Sequence, residues 1–220
     1  GLVDYNGKTY YVVDGVVNHS CNGLTYINGE WCYIVNGVLD TGYNNLILYN
    51  GTWYYVENGK INWHYTNLVQ YYGTWYYVEN GKINWNKNTL CQVNGHGTWY
   101  YVENGQINWH YQGLVYCNKE WYYIKNGVHQ TNYSSLVLYN GTWYYVKKGK
   151  LDWNHTGLFQ HSGTWYYVRD GRINYSYKGL VYHSGNYFYV ENGEINWNFN
   201  GYAQVNNKGT YYKVVNGKRV

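Results

Sequence analysis

The side chains with most chemistry to offer in this chain are tryptophans set in pairs beside asparagine. They fall 12 to 14 residues apart: Trp63 with Trp75, Trp85 with Trp99, Trp109 with Trp121, and Trp153 with Trp165. An aromatic face can take the C–H face of a sugar ring or the charge of an organic cation. Asn62, Asn84 and Asn108 precede three of these tryptophans and carry amides able to bond hydroxyls, and Asp152 precedes a fourth. The eight tryptophans and three asparagines form the candidate ligand-binding set. Thr41, Thr131 and Tyr175 replace the second Trp elsewhere, so the sites are expected to be unequal and concentrated in residues 53–121.

Catalytic chemistry finds no comparable pattern. Glu57, Glu79, Glu103 and Glu191 recur at one register beside a turn, where a carboxylate is solvated. A glycosidase needs two facing carboxylates, one with a raised pKa, and no such pair is implied. The eight His occupy scattered registers without metal-ligand spacing. His64 and His110 do share a register just after a Trp, where they could touch a ligand. The sequence therefore implies no enzyme, no metal and no cofactor.

These side chains are positioned by an internal repeat. A turn dipeptide ending in Gly, mostly Asn-Gly, recurs at Gly15, Gly37, Gly59, Gly81, Gly105, Gly127, Gly149, Gly171, Gly193 and Gly217. The steps are 22 residues except for two of 24, which implies about ten units over 1–220, read as a single repeat domain. Asn-Gly between alternating apolar residues is a strong hairpin cue. With Asn58-Gly59 as the turn, Glu57 faces Lys60, Val56 faces Ile61, Tyr55 faces Asn62 and Tyr54 faces Trp63. Tyr54, Val56, Ile61 and Trp63 then share one face, and Glu57 opposite Lys60 makes a charge pair, repeated at Glu79/Lys82. A second Asn-Gly upstream, as at Asn50-Gly51, adds another strand. The two longer steps place their extra residues in this upstream turn, at Asn94–Gly97 and around Asn206–Gly209. A lone hairpin is marginal in water, so successive units must bury one another's rings. The fold class expected is all-β, a β-hairpin repeat solenoid.

Composition agrees. Leu, Ile, Val and Phe make up about 22% of the chain, against 34 Tyr and 12 Trp, with no Pro and no Met. That aliphatic content is close to the level at which chains stay disordered, so Tyr must supply core. Residues 1–120 carry 5 basic and 8 acidic groups, residues 121–220 carry 11 and 4. The excess in the second half reads as a solvated basic face, and nucleic acid is not expected as a partner. No stretch approaches the ~18 apolar residues of a membrane-spanning helix, so membrane insertion is not expected either. The chain lacks an initiator Met and reads as a fragment of a longer protein or a processed form. Cys21, Cys32, Cys91 and Cys117 fall in four different registers, as sporadic small hydrophobes do; a Cys91–Cys117 bridge between adjacent units is conceivable.

The motif W-Y-Y-V-x-N-G-x-I, seen at Trp53–Ile61 and Trp75–Ile83 with a second Trp beyond it, resembles the aromatic cell-wall-binding repeats of Gram-positive surface proteins. Those include choline-binding repeats and the glucan-binding repeats of glucansucrases, and the short repeats of clostridial toxins are similar. The resemblance covers the whole chain. It implies a hairpin solenoid that binds choline on teichoic acid, an α-glucan or a host oligosaccharide between adjacent units. Two departures favour sugar over choline: Asn62, Asn84, Asn108 and Asn196 stand where choline-type repeats have Gly, and Ile61, Ile83 and Ile107 stand where they have Met. The function expected is a non-catalytic carbohydrate- or cell-wall-binding module that anchors an extracellular protein at the bacterial cell surface. The partners are surface polysaccharide, teichoic acid or a host glycan. The alternative is an adhesin-type module for a host protein such as an immunoglobulin or mucin.

Overall fold

The computed structural model describes residues 1–206 and 208–220. Contacts divide the chain into two compact units, Gly1–His110 and Tyr111–Val220. Both are all-β and built from one recurring three-stranded element; the described residues add a single 3-10 turn at Val93–Gly95.

In the first unit, strand Asn45–Tyr49 turns at Asn50-Gly51 into Thr52–Glu57, which turns at Asn58-Gly59 into Lys60–Ile61. Asn and Gly both take positive φ, 46° and 76° in the upstream turn and 51° and 76° in the downstream one. Asparagine tolerates that region and glycine has no Cβ to clash, which is why this dipeptide recurs. The register follows the sequence: Glu57 faces Lys60 and Val56 faces Ile61. Asn62 extends it by donating its N–H to the Tyr55 carbonyl at 3.1 Å.

The charge pairs expected across these turns are not made. Lys60 instead reaches Glu30 one repeat earlier, and Glu57 accepts from Asn62 Nδ2 at 2.7 Å. Glu79 likewise takes Lys87 at 2.7 Å rather than Lys82. Glu57 and Glu79 are thereby engaged by groups other than the lysine directly across their turns.

Consecutive repeats interlock through their backbones. Tyr55 N–H donates to the carbonyl of Gly81 at 2.8 Å, and Gly81 N–H returns a bond to Tyr65 at 3.0 Å. The same offset organises the core. Leu24 packs with Val56 and Ile61, Leu46 with Val78 and Ile83, and Leu68 with Val102 and Ile107. In the second unit Leu114 meets Val146, Leu136 meets Val168, Leu158 meets Val190, and Leu180 meets Val214. Each apolar cluster therefore draws on more than one repeat, the nearest-neighbour coupling of a solenoid.

Tyrosine supplies the rest of the core. Tyr55, Tyr77, Tyr145 and Tyr167 are buried. Tyr55 stacks on Tyr65 at 3.8 Å, Tyr145 on His155 at 3.9 Å, and Tyr189 on Phe199 at 3.7 Å between centroids. The Tyr43 hydroxyl donates to the Leu46 carbonyl at 2.6 Å, so its polar tip is satisfied. Burial pushes the Tyr43 and Tyr65 hydroxyls up to about 12.

The first longer step does place its extra residues in the upstream turn, where Gln92 Nε2 donates to the Gly97 carbonyl at 2.7 Å. The second includes Asn207, which lies outside the described residues; Gln204 Nε2 donates to Gly209 at 2.7 Å in the same way. Cys32 is fully buried. Cys91 carries a thiol that contacts the carbonyl of its neighbour Gln92 at 3.4 Å. The conceivable Cys91–Cys117 bridge is not formed.

Candidate ligand-binding corners

The local chain path explains why the downstream tryptophans face solvent. Asn62 makes the last sheet bond and then bends the chain: its Oδ1 accepts the His64 N–H at 2.9 Å and its carbonyl accepts the Tyr65 N–H at 3.2 Å. Asparagine is suited to this because its side chain mimics a backbone turn. Asn84 and Asn108 do the same for Asn86 and His110, and Asp152 for Asn154. Their Nδ2 groups, in the three asparagines, donate to Glu57, Glu79 and Glu103. Both ends of these amides are thus engaged inside the fold, holding the bend rather than pointing to a ligand.

The bend stands each following Trp edge-on against an aromatic ring of the middle strand. Tyr54–Trp63 and Tyr76–Trp85 have centroids 5.8 Å apart at 84° and 85°. Tyr100–Trp109 follows at 5.6 Å and 74°. In the second unit Tyr144–Trp153 lies at 5.9 Å and 85°, and Phe188–Trp197 at 5.8 Å and 75°. These tryptophans are 42 to 49% exposed. Each pair is an L-shaped corner with two π faces, the kind of wall that holds an organic cation or the apolar face of a sugar. Lys82 Nζ shows the first use directly, lying 5.4 Å from the Tyr54 centroid and 5.5 Å from that of Trp63.

The upstream tryptophans sit elsewhere. Trp75 is half-buried against Leu68, Tyr77, Val102 and Ile107, and Trp165 packs on Leu158 and Val190 with His183 at 4.8 Å. Trp121 lies between Tyr116 at 5.2 Å and Tyr139 at 5.5 Å. Trp99, beside the longer turn, is 38% exposed. The structure therefore groups Trp63 with Tyr54 and Trp85 with Tyr76, within one repeat, where spacing alone had paired Trp63 with Trp75 and Trp85 with Trp99. The middle-strand rings, Trp197 and Lys82 are the members that the Trp spacing passed over. Their signal was present: an aromatic residue precedes each downstream Trp by nine positions throughout.

Two carboxylates near the corners, Glu79 and Glu191, are held ionised. Lys87 and Asn84 beside Glu79 hold its carboxyl below the usual range, and Lys178 and Asn196 do the same for Glu191. Neither is poised as a general acid, which requires the opposite shift.

A family model for the choline-binding repeat matches residues 1–18, 42–62, 65–84, 86–108, 111–130, 132–152, 154–174 and 176–196. It passes over 19–41 and 197–220, and the short gaps between its matches hold Trp63, Trp85, Trp109 and Trp153. No curated protein matches the chain significantly. Among solved structures, CbpJ from Streptococcus pneumoniae TIGR4 is 19% identical, over 100% of this chain and 94% of that one, with a TM-score of 0.37. Choline binding protein F from Streptococcus pneumoniae, solved in the presence of a peptidoglycan analogue, is 24% identical over 86% of this chain and 61% of that one, with a TM-score of 0.33. The modular Cpl-1 endolysin, complexed with a peptidoglycan analogue, is 21% identical over 64% and 41%, with a TM-score of 0.28. The family model spans well over half of the sequence, and on that ground the chain belongs to the choline-binding repeat family.

Proposed function

We propose that residues 1–220 act as one non-catalytic module that holds an extracellular bacterial protein on cell-surface polysaccharide, teichoic acid included. The repeated two-ring corner carries this reading. Trp63, Trp85, Trp109 and Trp153, with Tyr54, Tyr76, Tyr100 and Tyr144, are the contact residues. Trp75, Trp99, Trp121 and Trp165 add a second aromatic row, and Asn62, Asn84 and Asn108 fix the bends. Family membership supports a choline-bearing polymer as ligand, and the ammonium of Lys82 over two rings supports a cationic group at the corner. Single corners of this kind bind weakly, but several on one polymer multiply through effective concentration.

Sedimentation with isolated Gram-positive cell walls tests the proposal. The wild-type chain should co-sediment and be released by free choline. A variant with Trp63, Trp85, Trp109 and Trp153 all changed to Ala should lose at least about tenfold in affinity, since each ring removes on the order of 1 kcal/mol, while keeping its circular dichroism spectrum. Absence of wild-type binding, or equal binding by the folded variant, would remove the proposal. Release by soluble glucan but not by choline would transfer the corners to neutral sugar.

A further inference from the structure

The corners share their two rings and differ in the residue paired with the first ring from the next repeat. Tyr54 pairs with Lys82, whereas Tyr76 pairs with Gln106. Lys82 also faces Glu79 across its own turn, which would ordinarily draw its ammonium away. Glu79, however, is already bonded by Lys87 and Asn84. The ammonium of Lys82 turns to the rings instead and lies within reach of both centroids, at 5.4 and 5.5 Å. Lys150, which pairs with Tyr122 in the second unit, lies 5.1 Å from that ring while also bonding Glu120. Lys60 pairs with Cys32, has no ring there to meet, and keeps only the bond to the glutamate, Glu30.

We infer that, of the Tyr54–Trp63 and Tyr76–Trp85 corners, the paired residue determines which accepts a cationic ligand: Lys82 makes an internal ligand of itself and closes the first, and Gln106 leaves the second open. The Tyr54–Trp63 corner is thus self-occupied, and the Tyr76–Trp85 corner is the receptive one. The physical reason is twofold. A cation entering the first corner must displace one already held by both π faces, and it meets a like charge while doing so. This inference rests on the reading of the corners as cation sites, and it adds which of them work.

The test uses the full chain and choline chloride as probe, followed through the indole N–H resonances of Trp63 and Trp85, assigned with Trp63→Phe and Trp85→Phe. In the native protein choline should shift Trp85 at a concentration about tenfold lower than Trp63. Lys82→Gln should bring the two within about threefold of each other, and Gln106→Lys should raise the Trp85 midpoint about tenfold. Equal midpoints in the native protein overturn the inference, as does an unaltered Trp63 response in a folded Lys82→Gln variant. If no corner responds to choline in any variant, the cation reading of the corners falls and this inference with it. The ligand-free spectrum gives a separate check. The Lys82 ε-methylene protons should be ring-shifted upfield and return on Trp63→Ala; unshifted protons overturn the closed corner without touching the rest.

Discussion

Gly51 and Gly59 occupy the same position in two Asn-Gly turns of one element, and both have a φ of 76°. Their surroundings differ completely. A Cβ on Gly51 would meet nothing within 4 Å, whereas one on Gly59 would lie 2.6 Å from the Asp40 carbonyl oxygen. The contrast recurs at Gly73 against Gly81, and at Gly163 against Gly171 in the second unit. The upstream turn uses glycine only for its conformation. The downstream turn uses it for conformation and also for room, because the carbonyl of the preceding repeat rests against it. One dipeptide thus marks a tolerant side and an intolerant side of the same hairpin.

The harshest way to probe this contrast is insertion. Two residues added after Gly81 should abolish the Tyr55–Gly81–Tyr65 bonds and unfold or uncouple the adjoining repeats. The same two added after Gly73 should cost less than about 1 kcal/mol, since loop entropy grows slowly with length. Thermal melts read the difference, and equal losses would end the distinction. Substitution is gentler. Gly73→Ala should cost about 1–2 kcal/mol for the left-handed backbone alone. Gly81→Ala adds an overpacking cost of about 1–3 kcal/mol, and urea titration should separate the two.

Alkaline pH offers a third handle on the downstream side, where the Tyr65 carbonyl receives the Gly81 N–H. Burial raises the Tyr43 and Tyr65 hydroxyls from an ordinary value of 10.0 to about 12 in the folded chain. The folded state then holds protons that the unfolded state releases. Their stabilisation is complete below about pH 10 and is lost as pH rises to about 12. Urea midpoints should fall over that window, and a Tyr43→Phe/Tyr65→Phe variant should fall less steeply. The smallest effect belongs to the exposed Lys60–Glu30 pair. Lys60→Ala should change stability by no more than about 0.5 kcal/mol, a loss that salt should mask.

Much of this was legible in the chain itself. Asn-Gly spacing gave the strands, the register around Asn58-Gly59 and the shared face of Tyr54 and Trp63, because turn chemistry and side-chain alternation are local. Non-local choices were not legible. Spacing could not say that Glu79 would prefer Lys87 to Lys82, since that depends on the path taken after Asn84. Nor could it say that Trp75 would turn inward while Trp63 stands exposed. Both directly follow a polar residue in sequence, Asn62 and Thr74, and only the packing separates them. The amides of Asn62, Asn84 and Asn108 looked available for a ligand for the same reason: the carboxylates that claim them come from across the turn.

The leucine-to-valine offset has a consequence for how such a protein changes length. Leu24 meets Val56 and Leu46 meets Val78 in chemically matching settings. A chain lacking residues 46–67 would present Val78 to Leu24 with no other adjustment, and its melting transition should resemble that of the parent. A cut that is not a whole repeat would strand one leucine without its valine. Whole-repeat gain and loss is therefore almost neutral to folding, and the number of corners facing a polymer can rise or fall by recombination without the packing having to be solved again.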